Sequence, residues 1–183
     1  MAVKPKERLL VNALELFSLR GFHATGIDTI LTQSKVAKTT MYRHFSSKED
    51  LIVSALRKRD EDFRDWLMQT MNELNAQGAE KLFMIFDVHR QWAEGSNFNG
   101  CLFIKAASEF PDMDSPIHTL CVEHKKSMMR YIKELVEDSG ITAPYDLVEQ
   151  IMVLLDGATT SAQMNRQPRV FDCAKASARK LVS

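Results

Sequence analysis

Apolar residues recur at helical spacing along almost the whole chain. In the first segment, over residues 5–20, Leu9, Ala13 and Leu16 fall on one face, and Gly21 ends the pattern. No segment alternates with the two-residue period of a half-buried strand. The pattern predicts an all-α fold of about nine helices.

Seven glycines and five prolines separate the predicted helices. The second helix is short and carries Ile27 and Ile30; we expect Thr25 to cap it, with Asp28 as the acid of a variant capping box. The other helices are predicted over about Ala37–Phe45, from a cap at Ser46-Ser47 to Asn75, and over Glu80–Glu94, Cys101–Phe110, Ile117–Ser139, Tyr145–Asn165 and Val170–Leu181.

The first forty-five residues have the dimensions of a helix-turn-helix, with a tight turn at residues 34–36. In the third helix, Met41 and Phe45 are four residues apart and can face inward. Hydroxyls and Thr methyls suit base edges, whereas cationic and phenolic groups reach phosphates. This chemistry favours DNA binding, and the alternative is an ordinary amphipathic surface helix. The residues left on the outer face are Lys38, Thr39, Thr40, Tyr42, Arg43 and His44.

Charge adds modest support. The chain has 24 basic and 24 acidic residues, which excludes a nucleic-acid binder that relies on bulk positive charge. The first fifty residues hold eight Lys and Arg against five Asp and Glu, and the remainder has the opposite imbalance. A mildly basic head fits local phosphate contact, although an imbalance of this size also arises by chance.

The three cysteines are odd in number and widely spaced, so a disulfide framework is not expected. With no signal peptide recognisable, a reducing cytoplasm is the expected compartment. No apolar run reaches the length of a membrane span, so no membrane partner is expected. Neither a cofactor nor a metal site is expected, because no set of ligands stands at convincing spacing.

Residues 8–51, RLLVNALELFSLRGFHATGIDTILTQSKVAKTTMYRHFSSKEDL, resemble the DNA-binding head of the TetR family of repressors. Two positions depart from the family pattern: Lys35 stands where the turn usually has Gly, and Ala37 where the third helix often has a Ser or Thr cap. Each departure costs about 1 kcal/mol. The matching residues are Ala13, Leu16, Phe17, Gly21, Phe22, Thr25, Ile27, Ile30, Val36, Lys38, Tyr42, His44, Phe45, Lys48 and Leu51.

The resemblance implies a DNA-binding domain over residues 1–48 and a ligand-sensing and dimerisation domain over residues 49–183. It implies a repressor that binds a near-palindromic double-stranded operator as a homodimer and is released by a small-molecule effector. Thr39 and Thr40 are then the expected base readers, and Arg43 lies beside them. The expected phosphate contacts are Thr25, Lys35, Lys38, Tyr42, His44 and Lys48.

The resemblance is weaker in the remainder, where FNGCLFIKAASEFP (98–111) and LLDGATTSAQM (154–164) are similar to one subgroup of TetR-like regulators. It implies an effector cavity among helices four to seven and a dimer interface made by the last two helices. The alternative for both residue sets is intrachain core. The effector candidates are Phe86, His89, Trp92, Phe98, Cys101, Phe103, His118, Cys121 and Met128. The dimer candidates are Ile151, Leu154, Leu155, Ala158 and Ala162.

Three alternatives stay open. Cys101 follows Gly100 at the start of a predicted helix, which favours a reactive thiolate for redox or electrophile sensing, but a small buried thiol has the same pattern. An enzyme built on a helical bundle lacks any supporting motif, so none is expected. A TetR-like protein that has lost DNA binding is supported only by Lys35 and Ala37.

Overall fold

The computed structural model describes residues 4–141 and 146–182. Within these residues every regular element is a helix, and there are nine, which confirms the predicted all-α class. The helices are α1 (Pro5–Arg20), α2 (Ile27–Ser34), α3 (Lys38–His44), α4 (Lys48–Glu73), α5 (Gly78–Glu94), α6 (Leu102–Glu109), α7 (Pro116–Ser139), α8 (Leu147–Asn165) and α9 (Val170–Lys180).

Most helix ends lie within two residues of the predicted ones. Cys101 immediately precedes α6 rather than lying within it, since the first helical residue is Leu102. The fourth helix ends at Glu73, and Asn75 takes a left-handed conformation with φ 49°. The predicted start of the eighth helix at Tyr145 lies outside the described residues.

The first three helices pack around an aromatic core. Pro5 stands in the first turn of α1, where its missing N–H costs nothing, and Leu9, Ala13, Leu16 and Phe17 are the buried residues of that helix. The rings of Phe17 and Phe22 stack with centroids 4.8 Å apart. Burying a side chain of this size stabilises the fold by about 1.5–3 kcal/mol, so these contacts hold the short helices together.

The described chain divides into two compact units. The first comprises Met1–Phe63 and Leu102–His124, and therefore includes α1 to α3, most of α4, α6 and the start of α7. The second comprises Arg64–Cys101 and Lys125–Ser183. These units do not follow the boundary after residue 48, and the functional division into residues 1–48 and 49–183 stays a prediction.

In the second unit, α5, α8 and α9 pack on one another. Their shared core includes Phe86, Ile151 and Phe171, each at most 1% exposed. Ion pairs join α5 to α9 at the rim, including Lys175 with Asp87 at 2.5 Å. Because partly exposed pairs contribute little, apolar burial holds this unit together. No described helix is both long and apolar enough to cross a bilayer.

Candidate nucleic-acid interface

The seven-residue α3 has one buried face and one polar outer face. Met41 is fully buried and Phe45, just after the helix, is 1% exposed, which confirms that both face inward. Tyr42 is 46% exposed although it is a large aromatic residue. Of the other five predicted contact residues, Thr40 is half-buried and the rest are exposed: Lys38, Thr39, Arg43 and His44.

The turn between α2 and α3 is tight. Lys35 takes a left-handed conformation with φ 53° and ψ 43°, as predicted for a position where glycine is usual. The Arg8 guanidinium donates to the Lys35 carbonyl at 3.0 Å, and Val36 is 6% exposed, so the turn is tied to the core at both residues. The Lys35 side chain is exposed.

The start of α3 has no side-chain cap. Ala37 is the N-cap residue and makes no capping hydrogen bond, as expected. The helix nevertheless begins in regular geometry, because the Thr40 and Met41 amides donate to the Ala37 carbonyl at 2.9 and 3.1 Å. The two departures from the family pattern therefore leave the geometry of the turn and of α3 intact.

The start of α4 is capped as predicted. The Asp50 amide donates to Ser47 Oγ at 3.1 Å, and the Ser46 amide donates to the Asp50 carboxylate at 2.8 Å. Lys48 follows directly and is half-buried. Its pKa is lowered by desolvation, and the charge of Glu109 partly opposes this shift.

Thr25 does not have the predicted place. It is 1% exposed, its hydroxyl donates to the Gly21 carbonyl at 2.7 Å, and α2 has Gly26 as N-cap with no side-chain hydrogen bond. The predicted cap is therefore wrong. The phosphate contact of Thr25 stays a prediction, and its buried hydroxyl already donates to the turn. Thr25 instead holds the loop between α1 and α2.

Glu109, at the end of α6, holds the same loop from the other side. Its carboxylate accepts hydrogen bonds from the Phe22 amide at 2.9 Å and from the His23 amide at 2.6 Å. Lys105, one turn earlier, donates to the Ser18 carbonyl at 2.5 Å. Gly21 has φ 86°, a conformation that favours glycine, and a Cβ there would also lie 2.6 Å from a Glu109 oxygen.

No local sequence pattern predicts this contact, because Glu109 lies more than eighty residues from its partners. Lys6 also makes a contact that no local sequence pattern predicts. Its ammonium lies 5.8 Å from the centroid of the Phe45 ring, next to the end of α3. Lys6 therefore adds a positive charge near the C-terminal end of α3.

The nine effector candidates are divided between the two units. In the second unit, the rings of Trp92 and Phe98 meet edge to face at 4.8 Å, and His89 lies 6.2 Å from both Trp92 and Phe171. Phe86, also on α5, is fully buried. Cys101 is half-buried, and Met128 lines a groove described below.

The other three candidates lie in the first unit. Phe103 stacks on His124 with centroids 3.7 Å apart, and His124 Nδ1 lies 2.7 Å from Asp60. His118 Nδ1 lies 2.9 Å from the Phe110 carbonyl, and the Cys121 thiol donates to the Ile117 carbonyl at 3.2 Å. Among the described residues, no three His, Cys, Asp or Glu side chains cluster as metal ligands would.

Four of the five dimer candidates lie in the core of the chain itself, and the dimer interface stays a prediction. Ile151, Leu155, Ala158 and Ala162 are buried within the chain itself, where α8 packs on α5 and α9. Intrachain core, the alternative, therefore describes them, and only Leu154 is half-buried. The helical spacing of apolar residues predicts this stripe on α8, but it does not indicate whether the same chain or a second subunit covers the stripe.

The outer face of α8 is the side that the chain leaves uncovered. Val153 is 70% exposed and Met164 is 77% exposed, and both are large apolar residues. Between them, at helical spacing, lie Gly157 and Thr160, which are also exposed. This row of small and apolar side chains permits close approach by another helix.

Two family models match the chain. The model described as bacterial regulatory proteins of the tetR family matches residues 9–55, which include α1 to α3. The model described as a tetracyclin repressor-like C-terminal domain matches residues 78–178, more than half of the chain.

Curated relatives and solved structures point the same way. The transcriptional regulator YjdC of Escherichia coli is 25% identical over 169 residues, 92% of this chain and 88% of the relative. The structure of SCO4454, a TetR-family regulator from Streptomyces coelicolor, has a TM-score of 0.86 and 25% identity, and covers 97% of this chain and 94% of its own. The reduced form of E. coli NemR shares the fold, with a TM-score of 0.87, 18% identity and coverage of 98% and 97%.

Proposed function

The chain belongs to the TetR family of bacterial regulatory proteins, and from that premise we propose that it is a ligand-responsive repressor. It binds a near-palindromic operator as a homodimer and leaves the DNA when a small effector binds. Regulators of this family are generally DNA-binding repressors, and NemR, 20% identical over 186 residues, is named as one. Since a transcription regulator must reach the chromosome, we also propose a cytoplasmic location.

One observation carries the proposal: the short helix α3 presents polar side chains on its outer face. Thr39 and Thr40 are short enough to let α3 approach base edges in the major groove, so we assign them base reading. Arg43 lies on the same outer face and reaches either a base or a phosphate. The phosphate contacts are assigned to Lys35, Lys38, Tyr42, His44 and Lys48, all exposed or half-buried.

A member of the family that has lost DNA binding is the competing candidate. Its support was the absence of glycine in the turn and of a cap on α3. Lys35 nevertheless adopts the left-handed geometry, and α3 begins normally after Ala37. Lys35 and Ala37 are therefore each expected to lower the free energy of unfolding by about 1 kcal/mol, while the outer face of α3 is still formed.

We assign dimerisation to the outer face of α8, around Val153, Gly157 and Met164, rather than to the buried stripe. We propose that the two copies of α3 in the dimer bind successive major grooves, which are about 34 Å apart on a duplex. Operator symmetry follows from the symmetry of the dimer.

Effector release needs a connection between the effector site and the head. Within the first unit, Glu109 of α6 holds the two amides that precede α2. We propose that effector binding moves α6 or α4 and so favours a head position that no longer fits both grooves. A coupling of a few kcal/mol suffices to release the protein.

The test is DNA binding measured by fluorescence anisotropy with a labelled duplex from upstream of the gene and a shuffled duplex. Thr40→Ala should lower the preference for the upstream duplex by about tenfold or more, because a base contact is worth about 1–3 kcal/mol. Tyr42→Ala should weaken binding to both duplexes alike, because a phosphate contact carries no sequence information.

The matched control is Thr119→Ala, an exposed threonine on α7 outside the candidate interface. It should bind both duplexes as the wild type does. If Thr40→Ala and Tyr42→Ala also bind as the wild type does, then α3 is not the recognition helix and the proposal fails.

A further inference from the structure

A surface groove in the second unit lies between the later part of α4 and the middle of α7. Its volume is about 180 Å³, which suits a molecule of the size of one aromatic ring with a substituent. Leu67 and Met128 line it and are 1% and 2% exposed, whereas Met68 is 47% exposed. The groove thus has an apolar lining anchored in the core of the unit.

The charged groups of this groove are mostly cationic. Two arginines, Arg64 and Arg130, line it together with Tyr131, and Glu134 is the one acid among the lining residues. A guanidinium offers a planar pair of N–H donors that matches a carboxylate. The lining therefore carries one net positive charge beside an apolar surface.

Tyr131 adds a hydroxyl donor. Burial, and then the nearby charge of Glu134, raise the pKa of its phenol above the usual value of 10.0. The phenol is protonated near neutral pH, as an ordinary tyrosine is, and it can donate a hydrogen bond to an anionic ligand.

We propose that this groove binds a small organic anion with an apolar body and a single carboxylate. The proposal rests on the proposed function, since it names the chemical class of the effector. A cation would meet a lining of net positive charge and is disfavoured. A neutral molecule of the same shape gains the apolar contacts but not the charge-assisted hydrogen bonds, which are roughly twice as strong as neutral ones.

The probe is benzoate, added to the full chain labelled with ¹³C at its methionine methyl groups and followed by NMR. Met68 and Met128 report on the groove, while Met41 and Met113 lie in the first unit and serve as internal references. Benzoate should shift the two groove methyls in a saturable manner. Benzamide should do so about tenfold more weakly, and benzylamine should have no saturable effect.

Arg130→Gln tests the charge, because Arg130 is exposed and its replacement leaves the core intact. It should weaken benzoate binding about tenfold and leave benzamide binding unchanged, whereas the control Arg57→Gln, an exposed arginine of α4 in the first unit, should change neither. Tyr131→Phe should weaken benzoate binding to a smaller extent.

The proposal is overturned if benzoate leaves the groove methyls unshifted, or if benzamide and benzylamine bind as well as benzoate does. Its failure is distinguishable from failure of the proposed function. A chain that prefers its upstream duplex while the groove methyls stay unshifted refutes this inference alone. Saturable benzoate binding by a chain with no duplex preference refutes only the proposed function.

Discussion

Replacing Glu109 with Gln should loosen the loop between α1 and α2. The carboxylate accepts the amides of Phe22 and His23 with different oxygens, at 2.9 and 2.6 Å. Gln keeps one oxygen, and its amide NH₂ then faces a backbone N–H, so one charge-assisted hydrogen bond becomes a donor–donor contact. Such a bond contributes about 1.5–3 kcal/mol, and half-burial places the expected loss near the lower end, at about 1–2 kcal/mol.

Thermal unfolding followed by circular dichroism measures this loss. For a chain of this size, about 1–2 kcal/mol corresponds to a fall in Tm of roughly 2–8 °C. Because these amides lie in the loop that leads into α2, the affinity for the upstream duplex should fall as well. The control is Glu123→Gln, an exposed glutamate of α7, with an expected change within about 0.5 kcal/mol.

The reasoning is refuted if Glu109→Gln is no less stable than Glu123→Gln. A loss of stability without any change in duplex affinity would mean that the Glu109 hydrogen bonds stabilise the fold. It would reject their role in positioning the head.

Three further changes have expected outcomes. Ala37→Ser supplies the missing cap of α3 and should raise the free energy of unfolding in urea by about 1 kcal/mol; no gain would mean that the uncapped amides are satisfied otherwise. Val153→Glu should convert the dimer to monomer in analytical ultracentrifugation, while Met113→Glu, a change at an equally exposed residue between α6 and α7, should not; a dimeric Val153→Glu would contradict the α8 interface. Glu80→Gln removes a carboxylate whose pKa is lowered chiefly by the hydrogen bond from Arg179. Its stabilising contribution is present above the ordinary glutamate pKa of 4.5 and is lost as the pH falls through the lower pKa of the folded state. The stability difference from wild type should therefore fade below about pH 4.5, and an unchanged difference at pH 3 would reject the assignment.

Local patterns predicted the head well. The positions of Met41 and Phe45 follow from helical periodicity, and the Ser47 cap follows from a side-chain preference that acts over three residues. The strained turn at Lys35 could also be anticipated, because the family pattern has glycine there. These features depend on neighbours in sequence, which a single chain displays.

Contacts between distant segments could not be predicted. Helical period showed that Ile151 and Leu155 lie on an apolar stripe, but intrachain and intersubunit burial favour the same residue types, and the stripe is in fact covered by α5 and α9. Thr25 matched a capping pattern, yet its hydroxyl turned back to Gly21. The Glu109 contact joins segments that no local pattern connects.

The central claim is that the outer face of α3 reads duplex DNA, and the ratio of affinities for the upstream and shuffled duplexes tests it most directly. At physiological salt the wild type should prefer its upstream duplex by about 10³-fold or more. The Thr39→Ala/Thr40→Ala double variant, equally folded by circular dichroism, should lose most of that preference while keeping its weak, salt-dependent binding to both duplexes. A wild type that binds both duplexes equally, or a double variant with the full preference, would contradict the account.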